Sequence, residues 1–573
     1  MILGLNAYTY CSGAALYDGE VRLVLEEERL NREKKTKAFP RMALEAAALE
    51  PGDVECVAFP WDPAKLLWEE AKVLGAGLPR SLQMLRPAAD PEGSAALPLF
   101  AWTRLPLDVR RHFGGRRPPI RFVGHHRAHA CLAFFGSPFE ESIVLVADGY
   151  GDDCSLSAWL ARGTRIELLW RNSFAHSLGL LYGAVTSHLG YRACHDEGKV
   201  MALAALGGDG MLADFREIVQ LDEAGGPPRL DFSYLNYHRA GELDPFTRKF
   251  KDRFGEERGR GERLEPRHAD LAAALQWTLE EALLDIARRL RERHGIPNLA
   301  LAGGVALNCA ANGRLARESG FDAIYVPPNP DDGGTPLGAA MHVHHCVNGH
   351  PRAEPILHSA FGLEYGAADV GRAAAGHGAR PVADPAEAAA ALLAEGRTVG
   401  WFQGRMEMGP RALGQRSILA DPRPPGMKDH LNADVKHREP YRPYAPSVLE
   451  EELGAWFPDS PPSPFMSFAS SVAADRADQV PAVLHVDGTA RVQSVTAAAA
   501  PLYHRMIRAF ARRTGVPMVL NTSLNDQEPI CCSPADAVRM FESTNLDALI
   551  VEDALLTAPG VRQPEEEHAG APA

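Results

Sequence analysis

Three apolar runs, far apart in the chain, each end in a turn of small residues. ILGLNAY, which contains Asn6, leads to Ser12 and Gly13; Ile143 to Ala147 closes at Asp148, Gly149 and Gly151; NLALA closes at Gly303 and Gly304, ahead of a helix-like stretch from Ala306. A strand that ends in such a turn beside a helix start exposes backbone N–H groups, and these suit a phosphate. Taken together, the blocks predict an α/β fold whose strand-end loops gather at a nucleotide cleft. Asp148 is then placed to touch a phosphate-bound cation or a ribose. Ordinary tight turns of an α/β sheet would give the same letters.

A chain of 573 residues is longer than one hydrophobic core usually covers, so more than one domain is expected. The pattern places a first domain at 1–355, a linker region at 356–380 where Pro, Gly and His cluster, a second domain at 381–562 and a frayed tail at 563–573. Within the first, His268 to Gly295 carries apolar residues at helical spacing and ends in arginines and glycine, which predicts a long amphipathic helix. The polar stretch from Leu221 to Pro266 reads as a surface insertion. The second domain opens on a helix from Pro385 to Glu395 and a strand from Thr398 to Gln403.

Composition narrows the function. Sixty basic against seventy-four acidic residues leave a formal charge of −14, which argues against nucleic acid or an anionic membrane as the general partner. Nine scattered cysteines without CxxC spacing fit a reducing compartment. MILGLNAYTY reads as a buried first strand rather than a secretory signal, and no window reaches the ~18 to 20 apolar residues of a membrane helix. A cytoplasmic location follows.

Two clusters could carry chemistry. In GHHRAHA, His125 and His129 would share one face if the segment is helical, half of a metal site. A carboxylate from PDDGG, Asp331 or Asp332, would make a two-histidine, one-carboxylate set suited to iron(II), manganese or zinc. The commoner fate of an Asp before a helix is to cap it. Further on, Arg405, Arg411, Arg416, Arg423, Lys436, Arg438 and Arg442 crowd together among Gly409, Pro410, Pro440 and Tyr441. Arginine forks in a Gly/Pro-shaped loop system suit a small phosphorylated substrate. HDEGKVMALAALG adds Glu197 and Lys199, a carboxylate and an ammonium beside a helix.

The motifs GLNAYTYCSGAAL, EEERLNREKKTKAFP, HHRAH, EGKVMALAALG, GGVALNCAANGRL, PDDGGTPLGAA, GRMEMGPRALGQRSILADPR, KHREPYRPYAP and NTSLN resemble those of the O-carbamoyltransferases of antibiotic tailoring and nodulation-factor synthesis, over nearly the whole chain. The resemblance implies an N-terminal actin-like ATPase domain of the threonylcarbamoyl-transferase kind and a C-terminal α/β domain like threonylcarbamoyl-AMP synthase. It implies that carbamoyl phosphate and ATP give carbamoyladenylate, whose carbamoyl group passes to a hydroxyl of a small molecule, with ATP and iron(II) as cofactors, magnesium or manganese being the other candidates. By motif, His125, His129 and Asp331 would hold the metal, with His126 and Asp332 as the first exchanges. Arg411, Lys436 and Arg442 would grip carbamoyl phosphate and the phosphates of ATP, with Arg416, Asn521 and Asn525 nearby. Asn6, Asp148, Gly149, Gly303, Gly304 and Asn308 would hold the adenylate, with Glu197 and Lys199 lining the same cleft.

Where many members of that family have a His-Asp pair, this chain has Tyr10 and Cys11. Tyr10 would then orient the acceptor hydroxyl, or a metal-bound group and the adenylate phosphate would take its proton. The resemblance also implies a homodimer and a role in secondary metabolism. Two other readings compete with it: a tRNA-modifying enzyme of the threonylcarbamoyl type, and a nucleotide-binding regulator of actin fold that does no chemistry.

Overall fold

The computed structural model describes residues 1–50, 52–76, 78, 101–222, 226–237 and 244–561. The tail expected at 563–573 lies outside them. Two compact units emerge, Met1–Ile356 with Ser467–Ala469, and Leu357–Met466 with Ser470–Ala573.

The first unit contains one topology twice. In its first sheet the strands lie in the order Val21–Glu26, Gly13–Tyr17, Ile2–Asn6, Cys56–Phe59, Ile120–Phe122, an antiparallel meander continued by two parallel strands. The second sheet repeats it as Arg165–Ser173, Cys154–Arg162, Glu141–Gly151, Asn298–Ala302, Ala323–Tyr325. Such a duplicated five-stranded unit is the arrangement of the actin-like ATPase fold. The strand NLALA is buried along most of its length, as expected of a parallel strand covered on both faces.

Helices His125–Gly136 and Thr335–Met341 pack on each other, the former against the second sheet and the latter against the first. Their approach is close enough that a Cβ on Gly338 would lie 2.0 Å from the carbonyl oxygen of Ala128. Only glycine permits that crossing. The long helix runs from Pro266 to His294 and stops where Gly295 turns left-handed at φ 67°. The stretch read as a surface insertion holds a core of its own: Phe246 stacks on Phe250 at 3.7 Å between ring centroids, and Phe250, Phe254 and Leu230 are buried.

The second unit is built on a mixed sheet in the order Arg380–Pro381, Ala554–Thr557, Ala548–Val551, Val399–Phe402, Arg416–Ala420, Met518–Ser523, Ala445–Leu449, Thr489–Val495. Helix Pro385–Ala394, capped by Asp384, packs on Pro501–Thr514. Residues 356–380, expected as a linker, contain helix Ala367–Ala374, which packs on Pro534–Ser543 inside this unit. Both units are therefore α/β. No helix among the described residues is long and apolar enough to cross a membrane.

Candidate metal and nucleotide site

The motif GHHRAHA forms the first turns of helix His125–Gly136, so His125 and His129 do share a face. Their Nε2 atoms are 3.1 Å apart, and both side chains are fully buried. The helix start is fixed by Asp152, whose carboxylate accepts from the backbone N–H groups of His125 and Asp62, each at 2.8 Å. An anion at that end satisfies an orphan donor and complements the helix dipole. His125 donates from Nδ1 to the carbonyl of Pro60 at 3.1 Å, which leaves its Nε2 lone pair facing inward.

Two carboxylates complete the group. Asp332 Oδ1 lies 3.2 Å from His125 Nε2 and 3.6 Å from His129 Nε2. Asp148 Oδ2 lies 3.3 Å and 3.6 Å from the same atoms. All four ligand atoms fall within 4.8 Å of one another.

Asp331, the expected third ligand, is not among them. Its carboxylate accepts from the N–H of Gly333 at 3.0 Å and so caps the turn that follows. His126 is not among them either, because its Nδ1 pairs with Ser157 Oγ at 2.8 Å and burial holds its pKa down to about 3.

The donor set fits a divalent cation. Two imidazole nitrogens and two carboxylates converge on one point in a buried pocket, a hard-to-borderline set of the kind that takes iron(II), manganese or zinc. Without a cation a proton must stand in for it. Burial alone would lower the pKa of His125, yet Asp332 and Asp148 carry it up to about 10, and they likewise raise that of His129.

Asp148 joins this centre to the glycine turn. Its Oδ1 accepts from the backbone N–H of Gly304 at 2.9 Å while Oδ2 faces the histidines. Gly303 stands at φ 88°, and a Cβ there would lie 2.2 Å from the carbonyl oxygen of Ala147. The carbonyls of Asp148 and Gly149 both accept from Ser177 Oγ, so the two neighbouring turns are tied together.

The remaining predicted residues of this unit divide into those that shape the site and those that support helices. Asn6 donates to the carbonyls of Tyr10 and Cys11 and accepts from Trp61 Nε1 at 3.1 Å. It thereby holds a loop in which Tyr8 and Cys11 are left-handed, and it fixes the indole that lies on the His125 ring. Tyr10 lies under Lys37 Nζ, 4.0 Å from the ring centroid, and edge-on to His195. Asn308 caps helix Cys309–Glu318 and exchanges two amide bonds with Gln276, a supporting role. Lys199 pairs with Asp196 at 3.2 Å, and Glu197 accepts from the N–H of Cys194.

Sequence reasoning left Lys35 unassigned, although it lies in a quoted motif. Burial would lower its pKa, but Cys11, Asp331, Cys194 and Glu197 around it raise it well above the ordinary lysine range. A permanently charged, half-buried ammonium therefore sits among the groups of the Cys11 and Asp331 loops. Behind them Glu26 accepts from Asn329 Nδ2 at 2.7 Å and from Arg29 Nε at 3.1 Å, which braces the loop that carries both aspartates.

In the second unit the predicted residues gather at one end of three neighbouring strands. The register pairs Ser417 with Ser523 and Asn521 with Ala445, so loops 403–415, 436–444 and 524–533 all leave from that end. Lys436 is buried and donates to the carbonyls of Ser523 and Asn525 and to Asn525 Oδ1. Asn521 donates to the carbonyl of Ala412 at 3.1 Å.

The arginines have two uses. Arg405 and Arg416 spend their forks on the backbone carbonyls of Phe361 and Gly362, and of Gln403, Gly404 and Gln415. Arg423 grips Asp421, and Arg438 bonds Asn432 and lies over Tyr444. Arg411 and Arg442 are half-buried on the loops themselves. The fully buried Glu407, unremarked in the sequence, accepts from the N–H groups of Leu413 and Arg416 and so sets the shape of the loop that bears Arg411.

Residues 1–341 match the family Carbamoyltransferase N-terminus and residues 390–558 match Carbamoyltransferase C-terminus. The chain belongs to the carbamoyltransferase family and is an enzyme. Nodulation protein NolNO of Sinorhizobium fredii is 38% identical over 96% of this chain and 79% of its own. The 3'-hydroxymethylcephem-O-carbamoyltransferase of Streptomyces clavuligerus is 34% identical over 63% of this chain and 64% of its own. Among solved structures, T. kodakarensis HypF superposes on 61% of this chain and 48% of its own at a TM-score of 0.32 and 14% identity, a likeness too distant to bear on the site.

Proposed function

We propose that this enzyme makes carbamoyladenylate from carbamoyl phosphate and ATP on its second unit, and transfers the carbamoyl group to a hydroxyl of a small molecule on its first. The observation that carries the reading is the shared carboxylate of Asp148, which ties a buried cation pocket to a turn of backbone N–H groups. The N–H groups of Gly303 and Gly304 are spent on the carbonyl of Pro330 and on Asp148, so a phosphate would lie beside that turn rather than on those two donors, with the adenylate's carbonyl next to the pocket. His125, His129, Asp148 and Asp332 would hold the cation, iron(II) by the family resemblance, with magnesium or manganese as the other candidates. Bound there, a divalent cation polarises a carbonyl oxygen and offsets the charge that gathers on it.

The chain's own residues do the rest. In the second unit Arg411 and Arg442, with Lys436 fixing the loops by its carbonyl bonds, receive carbamoyl phosphate and the phosphates of ATP. Water cleaves carbamoyl phosphate to carbamate and inorganic phosphate, the carbamate oxygen attacks the α-phosphate of ATP, and pyrophosphate leaves. In the first unit Tyr10 orients the acceptor hydroxyl, its oxygen attacks the carbamoyl carbon, and AMP departs with the proton taken up on its phosphate. The burial of His125, His129 and Asp148 limits the water that can reach a mixed anhydride that hydrolyses easily. The acceptor is a hydroxylated secondary metabolite, the enzyme acts in the cytoplasm as a homodimer, and nucleic acid is not its substrate, in keeping with the charge of −14.

The test separates the two units. Arg442→Ala should abolish pyrophosphate release that depends on carbamoyl phosphate, whereas His129→Ala should spare it and stop transfer to an acceptor that the unaltered enzyme uses. Equal loss in both assays by both variants would contradict the assignment.

A further inference from the structure

The first unit contains a second group of metal-ligating side chains, separate in its chemistry from the histidine and aspartate pocket. Cys131 Sγ, His342 Nδ1 and Cys346 Sγ lie within 4.8 Å of one another, and Cys131 and His342 approach to 3.7 Å. The three come from the two helices that cross at Gly338. Cys131 lies one half-turn beyond His129 on its helix, and His342 and Cys346 lie at i and i+4 on the π-helical turn His342–Val347 that continues Thr335–Met341. Widened turns of this kind recur where a helix must bring side chains to a functional point.

The neighbouring histidines are occupied otherwise. His345 pairs with Tyr17 OH at 2.7 Å and with the carbonyl of His350, and His344 stacks on His350. Of that histidine-rich run, His342 is the one turned to the cysteines.

We propose that Cys131, His342 and Cys346 bind a zinc ion. Two sulfurs and one imidazole are a soft-to-borderline set that zinc favours, and three protein ligands leave a fourth position for water. Burial suits this arrangement: Cys131 is fully enclosed, whereas His342 and Cys346 are part-exposed and give the ion a way in. The bound ion would clamp the histidine helix to the helix that follows Asp332, and so fix two of the ligand-bearing segments of the first site. The proposal does not rest on the carbamoyl reading.

Cobalt(II) is the probe, because thiolate ligands give it a near-ultraviolet charge-transfer band that nitrogen and carboxylate ligands do not. Full-length protein, reduced and stripped of metal, is titrated with cobalt(II) and then with zinc(II). The expected result is a thiolate band that zinc bleaches, that survives in His129→Ala, and that disappears in both Cys346→Ser and His342→Gln. Zinc should also raise the melting temperature of His129→Ala, and this shift should vanish when either second-site substitution is added. A cobalt spectrum of the unaltered protein without the band overturns the proposal. So does a band that both second-site variants retain, or one that His129→Ala removes, which would put the thiolates in the first site.

Discussion

Asp332 Oδ1 sits 3.2 Å from His125 Nε2, while the carboxylate of Asp331 beside it turns back to the N–H of Gly333. Adjacent aspartates thus face the histidine pair and cap a turn. Replacement of Asp332 by Asn should lower the affinity for a divalent metal at least tenfold, on the order of 1.4 kcal/mol or more, and reduce the metal that the purified protein retains. Asp331→Asn should retain the metal, since an amide oxygen still accepts from Gly333. Metal content by plasma mass spectrometry decides, and the reverse ranking would restore Asp331 as the ligand.

Gly303 is held left-handed with its α-carbon against the carbonyl of Ala147. Gly303→Ala adds both backbone strain and a clash, and should cost on the order of 2–3 kcal/mol in urea unfolding. Because Gly304 donates to Asp148, the same change should lower metal content together with turnover.

His188 is buried edge-on to Phe246 and Phe250, and burial holds its pKa down to about 4. The unfolded chain, with an ordinary histidine near ~6.5, binds more protons between those values, so stability is full above about pH 6.5 and falls as the pH drops toward 4. The loss should be on the order of 3 kcal/mol for this one group. His188→Phe removes the titration, and the melting temperature of that variant should fall less steeply with acid than that of the unaltered protein. Parallel slopes would show that other groups govern the window.

The histidine pair was legible because helical spacing alone puts residues i and i+4 on one face. The choice among the carboxylates was not. Which of two adjacent aspartates points inward depends on a turn that Asn329 and Glu26 fix from afar, and Asp148 enters the pocket from a strand whose pairing no local pattern announces. The arginine cluster was visible as composition, but its division was hidden: Arg405 and Arg416 look like Arg411 and Arg442 in the sequence, and only tertiary contacts show their forks spent on carbonyls. The duplicated sheet leaves no repeat in the letters, because strand order can recur without side-chain identity. Aromatics of the stretch read as an insertion were passed over because charged neighbours outnumber them.

The measurement closest to the central claim uses the unaltered enzyme, metal-replete, with ATP and carbamoyl phosphate and no acceptor, and follows pyrophosphate and carbamoyladenylate by mass spectrometry. Omitting either substrate in turn should abolish both products. Pyrophosphate released without carbamoyl phosphate, or none with both substrates and with acceptors present, would contradict the account.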